Sequence, residues 1–225
     1  MRKAVDGHAA AIMMALCLAW GMHQVVIKGV ADDIAPLLQI VLRSGVAALL
    51  VWLFGRLVLR EPWLRGVGLR SGLVVGTLFA AEFLFVAEGL RWTSASHMAV
   101  FLYTAPLFAA MGLHIRLPEE RLSATQWAGI VLAFFGIVVM FLAPALITGN
   151  SGHTETNADW LLGDLMGLGA GAAWGLTTVA VRTSRLSEAP ATQTLFLQLA
   201  GACIWLLPIA LMTGQTYFNG TPMVW

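Results

Sequence analysis

Seven long apolar runs, separated by short polar connections, make up almost the whole sequence. Each run approaches or exceeds the roughly 20 residues that a helix needs to cross the hydrocarbon core of a bilayer. Such a run must be helical, because the core holds no water to bind its backbone groups. The pattern therefore predicts an all-α integral membrane protein with about seven transmembrane helices, at residues 8–28, 34–55, 71–90, 94–115, 124–147, 161–181 and 192–213.

Composition supports the same class. Hydrophobic residues make up 59% of the 225 positions, charged residues make up 11%, and the mean hydropathy is +0.80. Soluble domains are about 25% charged, so this chain cannot build a water-facing surface. The net charge of +1, without any basic block, gives no case for a nucleic-acid partner. Cys17 and Cys203 lie inside apolar runs without metal-ligand spacing, so we expect no metal and no cofactor.

The basic residues of the connections predict an orientation. With the N-terminus inside, ten basic residues face the cytoplasm, whereas Lys28 and Arg91 face outward. Short loops with such a bias obey the positive-inside rule. We therefore expect an inner-membrane protein of a bacterium with a cytoplasmic N-terminus and, after an odd number of spans, an outer C-terminus. The ten inner residues are Arg2, Lys3, Arg56, Arg60, Arg65, Arg70, Arg116, Arg121, Arg182 and Arg185.

The chain contains an internal repeat. Residues 19–28 read AWGMHQVVIK and residues 173–182 read AWGLTTVAVR, at an offset of 154. The same offset aligns Ala35-Pro36 and Gln39 with Ala189-Pro190 and Gln193, which gives seven identities over 25 positions. The Trp-Gly, Pro and Gln identities at one fixed offset carry more weight than matches between common apolar residues.

Five predicted spans separate the two copies, so the second copy enters the membrane from the opposite face. Inverted repeats are the architecture of secondary transporters, in which the solute site lies near the midplane where the repeats meet. The repeat divides the chain into a first five-helix copy at 1–147, a polar outer loop at 148–160, and the first two helices of a second copy at 161–225. An inactive or assembly-dependent transporter fragment that lacks three helices is therefore the alternative to an active transporter, and self-association is possible.

Two stretches resemble a known family. Residues 89–108 read GLRWTSASHMAVFLYTAPLF, and residues 117–139 read LPEERLSATQWAGIVLAFFGIVV. Together with the AWG of the first span, they are similar to the EamA-type branch of the drug/metabolite transporter superfamily. The resemblance implies two inverted five-helix repeats around a central cavity, and the export of amino acids, other metabolites or drugs. The expected function is therefore a secondary transporter or exporter of small metabolites that works by alternating access.

Ionisable groups at membrane depth are costly and mark candidate functional sites. At a helical rise of about 1.5 Å per residue, Arg43 lies roughly 10 Å and Glu82 roughly 12 Å below the outer boundary. We expect the two charges either to pair directly, as a structural ion pair, or to share a wet cavity that binds a solute. The full set of candidate cavity residues is Trp20, His23, Gln24, Gln39, Arg43, Glu82, His97, Tyr103 and Trp174.

Small and kink-forming residues predict how the helices pack and bend. Span six carries glycines spaced four apart, which favour close packing against another helix or form the wall of a narrow cavity. Two prolines lie inside predicted spans, where each removes a backbone hydrogen bond and so predicts a kink or hinge. The glycines are Gly163, Gly167, Gly171 and Gly175, and the prolines are Pro106 and Pro208.

Two other functions fit less well. A retinal receptor needs a lysine in its last helix, and the chain's lysines are Lys3 and Lys28. A membrane enzyme would need a catalytic motif, and the sequence contains neither an HExxH metal motif nor a GxSxG nucleophile elbow. The sequence thus indicates transport without covalent chemistry.

The inverted repeat makes a prediction about Lys28 and Arg182, which occupy equivalent positions in the two copies. We expect cysteines placed at these positions to react with membrane-impermeant reagents from opposite sides of the membrane. Labelling of both positions from the same side would exclude inverted copies.

Overall fold

The computed structural model describes residues 7–64, 66, 69–148 and 157–219. These residues form eight α-helices and confirm the all-α fold class. Short 3-10 turns follow α5 and α7, at Pro118–Glu120 and Arg185–Glu188. The helices are α1 Gly7–Gly29, α2 Pro36–Leu53, α3 Leu69–Gly89, α4 Ala95–Leu102, α5 Ala105–Arg116, α6 Ala124–Thr148, α7 Asn157–Arg182 and α8 Ala191–Met212.

Five helical stretches are long and apolar enough to cross a membrane. α7 has sufficient length, with 26 residues, but its glycines and Asp164 make it less apolar. α6 contributes a shorter apolar stretch at Ala124–Ile137. The five stretches are Ala10–Gly29, Pro36–Val58, Arg70–Gly89, Ala95–Arg116 and Ala191–Met212.

Two predicted boundaries need correction. The polar segment expected at 148–160 is shorter, because α7 already begins at Asn157 and α6 continues to Thr148. Residues 149–156 lie outside the described residues. The second span continues beyond its predicted end at 55, since a single π-helical turn at Phe54–Val58 extends α2.

Helix α3 lies at the centre of the packing. It packs against both α7 and α8, while α8 also packs against α2, and α7 also packs against α4 and α5. α6 contacts α5 through two edge-to-face ring pairs, Phe108 with Phe134 and His114 with Trp127. Helices α7 and α8 thus lie between helices that precede them in the chain.

Contacts between helix termini define the two ends of the bundle. At the Thr93 end, Lys28 of α1 donates a hydrogen bond to the carbonyl oxygen of Thr93, which lies between α3 and α4, and Thr93 bonds Asp164 of α7. At the Arg182 end, the last residue of α7 pairs with Glu120, which follows α5. α1 therefore ends where α7 begins, so these two equivalent helices run in opposite directions.

A buried apolar core fills the space between α2, α3, α4, α7 and α8. Its largest fully buried side chains include Leu37, Ile40, Val75, Val86, Met98 and Leu206.

The four spaced glycines of α7 face α4, α5 and the α3–α4 connection. Because a glycine has no Cβ, α7 can approach these segments closely at the four positions. A Cβ at Gly163 would lie 2.8 Å from the backbone nitrogen of Thr93, and one at Gly175 would lie 2.7 Å from the carbonyl oxygen of Ala105. Gly167 and Gly171 make similar close approaches to Phe101 and Thr104.

The fourth predicted span corresponds to the single apolar stretch Ala95–Arg116, which a break divides into two helices. α4 ends at Leu102 and α5 begins at Ala105, so the break falls at Tyr103 and Thr104. Pro106 lies in the first turn of α5, where a proline needs no amide hydrogen bond. The buried hydroxyl of Thr104 donates a hydrogen bond of 2.6 Å to the carbonyl oxygen of Phe101 within the break. Pro208, by contrast, lies within α8, which the structure assigns as one continuous helix.

The crossing of α3 and α8 depends on two glycines in direct contact. A Cβ added at Gly201 would lie 2.3 Å from the Cα of Gly76 and 3.0 Å from the carbonyl oxygen of Gly76. Since both obstacles are backbone atoms, they cannot move aside as a flexible side chain would.

We therefore expect Gly201→Ala to lower the free energy of unfolding by about 1–3 kcal/mol, the usual cost of overpacking. Gly129→Ala is the control, because a Cβ at Gly129 meets nothing within 4 Å. Thermal unfolding in detergent compares the two variants. Equal stability would show that α3 and α8 do not cross at this point.

Candidate solute-binding region

A group of buried polar side chains lies on neighbouring helices of the first copy. Glu82 of α3 is 3% exposed and Ser44 of α2 is fully buried. Arg43, which precedes Ser44 on α2, and His23 of α1 are partly buried, and Arg43 interacts electrostatically with both Glu82 and His23. We call these four residues the buried polar group. All four lie in the half of the bundle nearer the Thr93 end, since Arg43 and Glu82 are each seven residues from that end of their helix.

Arg43 is the central charge of this group. It interacts electrostatically with both Glu82 and His23. Its guanidinium carbon lies 4.7 Å from the ring centroid of Phe83, a cation–π arrangement that helps to hold a buried cation. Among the described side chains, Arg43 and Glu82 do not form a direct ion pair. The two opposite charges therefore occupy one polar region without neutralising each other at contact distance.

Several atoms of the buried polar group lack a hydrogen-bond partner within the described part of the chain. They are Oε2 of Glu82, Oγ of Ser44 and both ring nitrogens of His23. Leaving a buried polar atom unpaired costs about 1–3 kcal/mol, so a native structure seldom keeps several together without water or a ligand. This arrangement is therefore suited to binding a polar molecule.

A second polar cluster lies closer to the Thr93 end and surrounds Asp164 of α7. The hydroxyl of Thr93 donates a hydrogen bond of 2.5 Å to Oδ1 of Asp164. Nδ1 of His97, at the start of α4, lies 3.2 Å from each carboxylate oxygen. The Asp164 side chain is almost completely buried. This cluster connects the termini of α3, α4 and α7.

The segment after α8 adds further contacts at the Thr93 end. Gln215 donates a hydrogen bond of 2.5 Å to Glu88 of α3, and the Tyr217 hydroxyl donates one of 2.5 Å to the carbonyl oxygen of Ala31. The backbone nitrogen of Asn219 donates to the carbonyl oxygen of Asp33 at 2.7 Å. The segment thus crosses the ends of α1, α2 and α3 and covers the bundle there.

The opposite end of the bundle contains a large cavity between α5, α6 and α7. Its volume is about 700 Å³. Trp174 and Thr178 line its inner part, while the exposed Arg121 and Arg182 stand at its mouth. The cavity is therefore open at the Arg182 end, whereas the hydrogen-bonded segments described above close the Thr93 end.

The structure brings together only some of the candidate residues from the sequence. His23, Arg43 and Glu82 form one group, His97 contacts Asp164, and Trp174 and Pro106 line the cavity. Gln39 is half-buried on α2, and Tyr103 is 50% exposed at the break between α4 and α5. The side chains of Trp20 and Gln24 lie outside the described residues.

Sequence reasoning missed Asp164, Thr93 and Ser44. Asp164 carried a usable signal, because it is an acidic residue inside a long helical run, seven residues after the helix begins. Thr93 and Ser44 carried no such signal, because a single hydroxyl residue is common in membrane proteins and often bonds its own backbone.

The comparison with known families agrees with this architecture. The EamA-like transporter family matches residues 8–142, which is more than half of the chain. The chain therefore belongs to the EamA-like transporter family. This family is one of transporters, not of enzymes.

Two curated proteins are similar to the chain. One, named "Probable amino-acid metabolite efflux pump", from Salmonella typhimurium, is 26% identical over 92% of this chain and 62% of its own length. The other, named "Uncharacterized transporter", from Archaeoglobus fulgidus, is 27% identical over 74% of this chain and 53% of its own length. The chain thus spans between half and two thirds of the length of these relatives. No solved structure matches it.

The Asp164 cluster generates a stability prediction. Asp164→Leu removes the acceptor of the buried Thr93 hydroxyl, so we expect the free energy of unfolding to fall by about 1–3 kcal/mol. Asp164→Asn keeps a carbonyl acceptor and should lose less. Asp32→Leu, at an exposed position, serves as the control. Thermal unfolding of all three variants checks the order, and an Asp164→Leu variant as stable as the control would contradict it.

Proposed function

We propose that the chain is the solute-binding part of a secondary transporter that exports small zwitterionic metabolites, such as amino acids, by alternating access. Its membership of a transporter family supports transport in general. The name of the Salmonella relative, an amino-acid metabolite efflux pump, supports the substrate class.

The presence of Arg43 and Glu82 in one buried region, without a direct ion pair, carries the proposal. A guanidinium group binds a carboxylate, and a carboxylate binds an ammonium group, by charge-assisted hydrogen bonds. A zwitterionic solute placed between them would satisfy both charges together with the unpaired Ser44 and His23 atoms. Binding sites of small molecules commonly combine apolar walls with a few such polar groups.

The cavity at the Arg182 end supports access of the solute from that end. By the positive-inside rule, we expect this basic end to lie in the cytoplasm. A solute would enter the cavity there, pass Trp174, and reach the buried polar group while the Thr93 end is closed. Release to the outside would require the contacts of Asp164 and of Gln215 to open.

The opposite directions of α1 and α7 support alternating access. Two similar units with opposite orientation can exchange their conformations and so expose one site to each side in turn. The break at Tyr103 and Thr104 lies next to Gly171 of α7, so one unit contacts the other at a point where the backbone can bend.

A second candidate function is that of a component that transports only with additional helices. The exposure of α1 favours it, since many of its large apolar side chains are about half exposed or more. α7, its equivalent in the second copy, is enclosed by α3, α4 and α5. The exposed apolar residues of α1 include Ile12, Met13, Leu16, Leu18, Met22 and Val25.

We predict that Glu82→Gln and Arg43→Met each reduce export by tenfold or more, because each removes a charge-assisted contact of about 1.5–3 kcal/mol. Efflux of labelled amino acids from vesicles with equal protein content measures the effect. Glu188→Gln and Arg60→Met are matched controls at exposed positions. Restoration of transport by exchanging the two charges would contradict direct solute binding and favour a structural pair.

Comparing the chain with a longer version separates the two candidates. The longer version carries the part of the Salmonella relative that this chain does not cover, and both are assayed in the same vesicles. Transport by the chain alone would exclude the need for additional helices. Transport by the longer version alone, lost again in Glu82→Gln, would support both the second candidate and the solute site. Activity of neither protein on any amino acid would contradict the proposed substrate class.

A further inference from the structure

A second groove lies at the Arg182 end, on the outer surface between α3, α5 and α7. Its volume is about 500 Å³. Arg70 at the start of α3 and Arg116 at the end of α5 both line it, together with Ser71, Thr183 and Ser184. It is separate from the cavity next to α6, which is lined by different residues.

The charge of this groove is entirely positive. None of its lining residues is acidic, and within the described part of the chain neither Arg70 nor Arg116 forms an ion pair. The cavity next to α6 differs, because there Glu119 and Glu120 offset Arg121 and Arg182. The two arginines of the groove therefore remain available to an anion from outside the chain.

The groove changes from polar to apolar along its length. Arg70 and Leu78 are eight residues apart on α3, so the lining extends about 12 Å along that helix. Below the arginines its walls are Val74, Leu78, Leu176 and Val179. Val74 and Leu176 are each nearly half exposed, which shows that the groove opens sideways. In a bilayer this side faces the acyl chains.

We propose that this groove binds an anionic phospholipid, with the phosphate between Arg70 and Arg116 and one acyl chain along the apolar walls. Basic pockets between transmembrane helices at the cytoplasmic face bind anionic headgroups. The hydroxyl groups of Ser71, Thr183 and Ser184 add donors to the phosphate oxygens. This lipid site does not depend on the proposed transport function.

Charge complementarity favours a lipid over a second copy of the chain. Two copies related by a two-fold axis through this groove would bring arginines of equal charge together, which is unfavourable. A free phosphate would satisfy the arginines but would leave the apolar walls of the groove uncovered.

Native mass spectrometry of the purified chain tests the proposal with phosphatidylglycerol and phosphatidylcholine of identical acyl chains. The Arg70→Gln/Arg116→Gln variant should bind phosphatidylglycerol roughly 30-fold more weakly, since each basic residue contributes a factor of about five at an anionic surface. Arg60→Gln/Arg121→Gln removes the same charge elsewhere at this end and should bind normally. Val74→Trp fills the apolar part of the groove and should weaken binding without any change of charge.

Three outcomes would overturn the proposal. The first is equal binding of both lipids, or unchanged binding in the Arg70→Gln/Arg116→Gln variant. The second is displacement of the lipid by millimolar inorganic phosphate, which would define a simple anion site. The third is a dimer of the chain that Val74→Trp abolishes, which would show that a second copy fills the groove.

Discussion

The close approach of α7 and α8 to the helices of the first copy is the contact on which the rest of the structure depends. In a bilayer, apolar surface gains little by leaving lipid, so helices associate through tight packing and polar contacts. Glycines provide the packing here, where Gly201 meets Gly76 and Gly175 meets Ala105. With a Cβ at these positions, α8 could not lie this close to α3, nor α7 this close to α5.

This packing places polar groups at two levels. Near the Thr93 end, Asp164 is almost fully paired and holds three helix termini together. Deeper in the bundle, Glu82 and Ser44 are as well buried but keep unpaired oxygens. Buried polar groups that are satisfied stabilise one conformation, whereas unsatisfied groups attract a ligand. We therefore assign closure of the bundle to the paired Asp164 level, and solute binding to the deeper level with its unpaired oxygens.

Most of the helices and their order followed from the sequence, because they depend on local hydrophobic length. The break at Tyr103 and Thr104 lies in the turn before Pro106, where the proline removes the hydrogen bond to the carbonyl oxygen four residues earlier. The acidic residue Asp164 could be noticed in the sequence, but its partner could not be predicted, because that hydroxyl lies 71 residues away in the chain. The cavity next to α6 arises from three helices and has no sequence signature.

Solute protection of Ser44 tests the central claim most directly. Ser44 follows Arg43 on α2, is fully buried and keeps an unpaired hydroxyl oxygen, so we expect a cysteine at this position to lie near a bound solute. In a Ser44→Cys variant with Cys17 and Cys203 replaced by alanine, transported amino acids should slow alkylation, whereas uncharged analogues of the same size should not. Alkylation at an unchanged rate in saturating amino acid would contradict solute binding at the buried polar group.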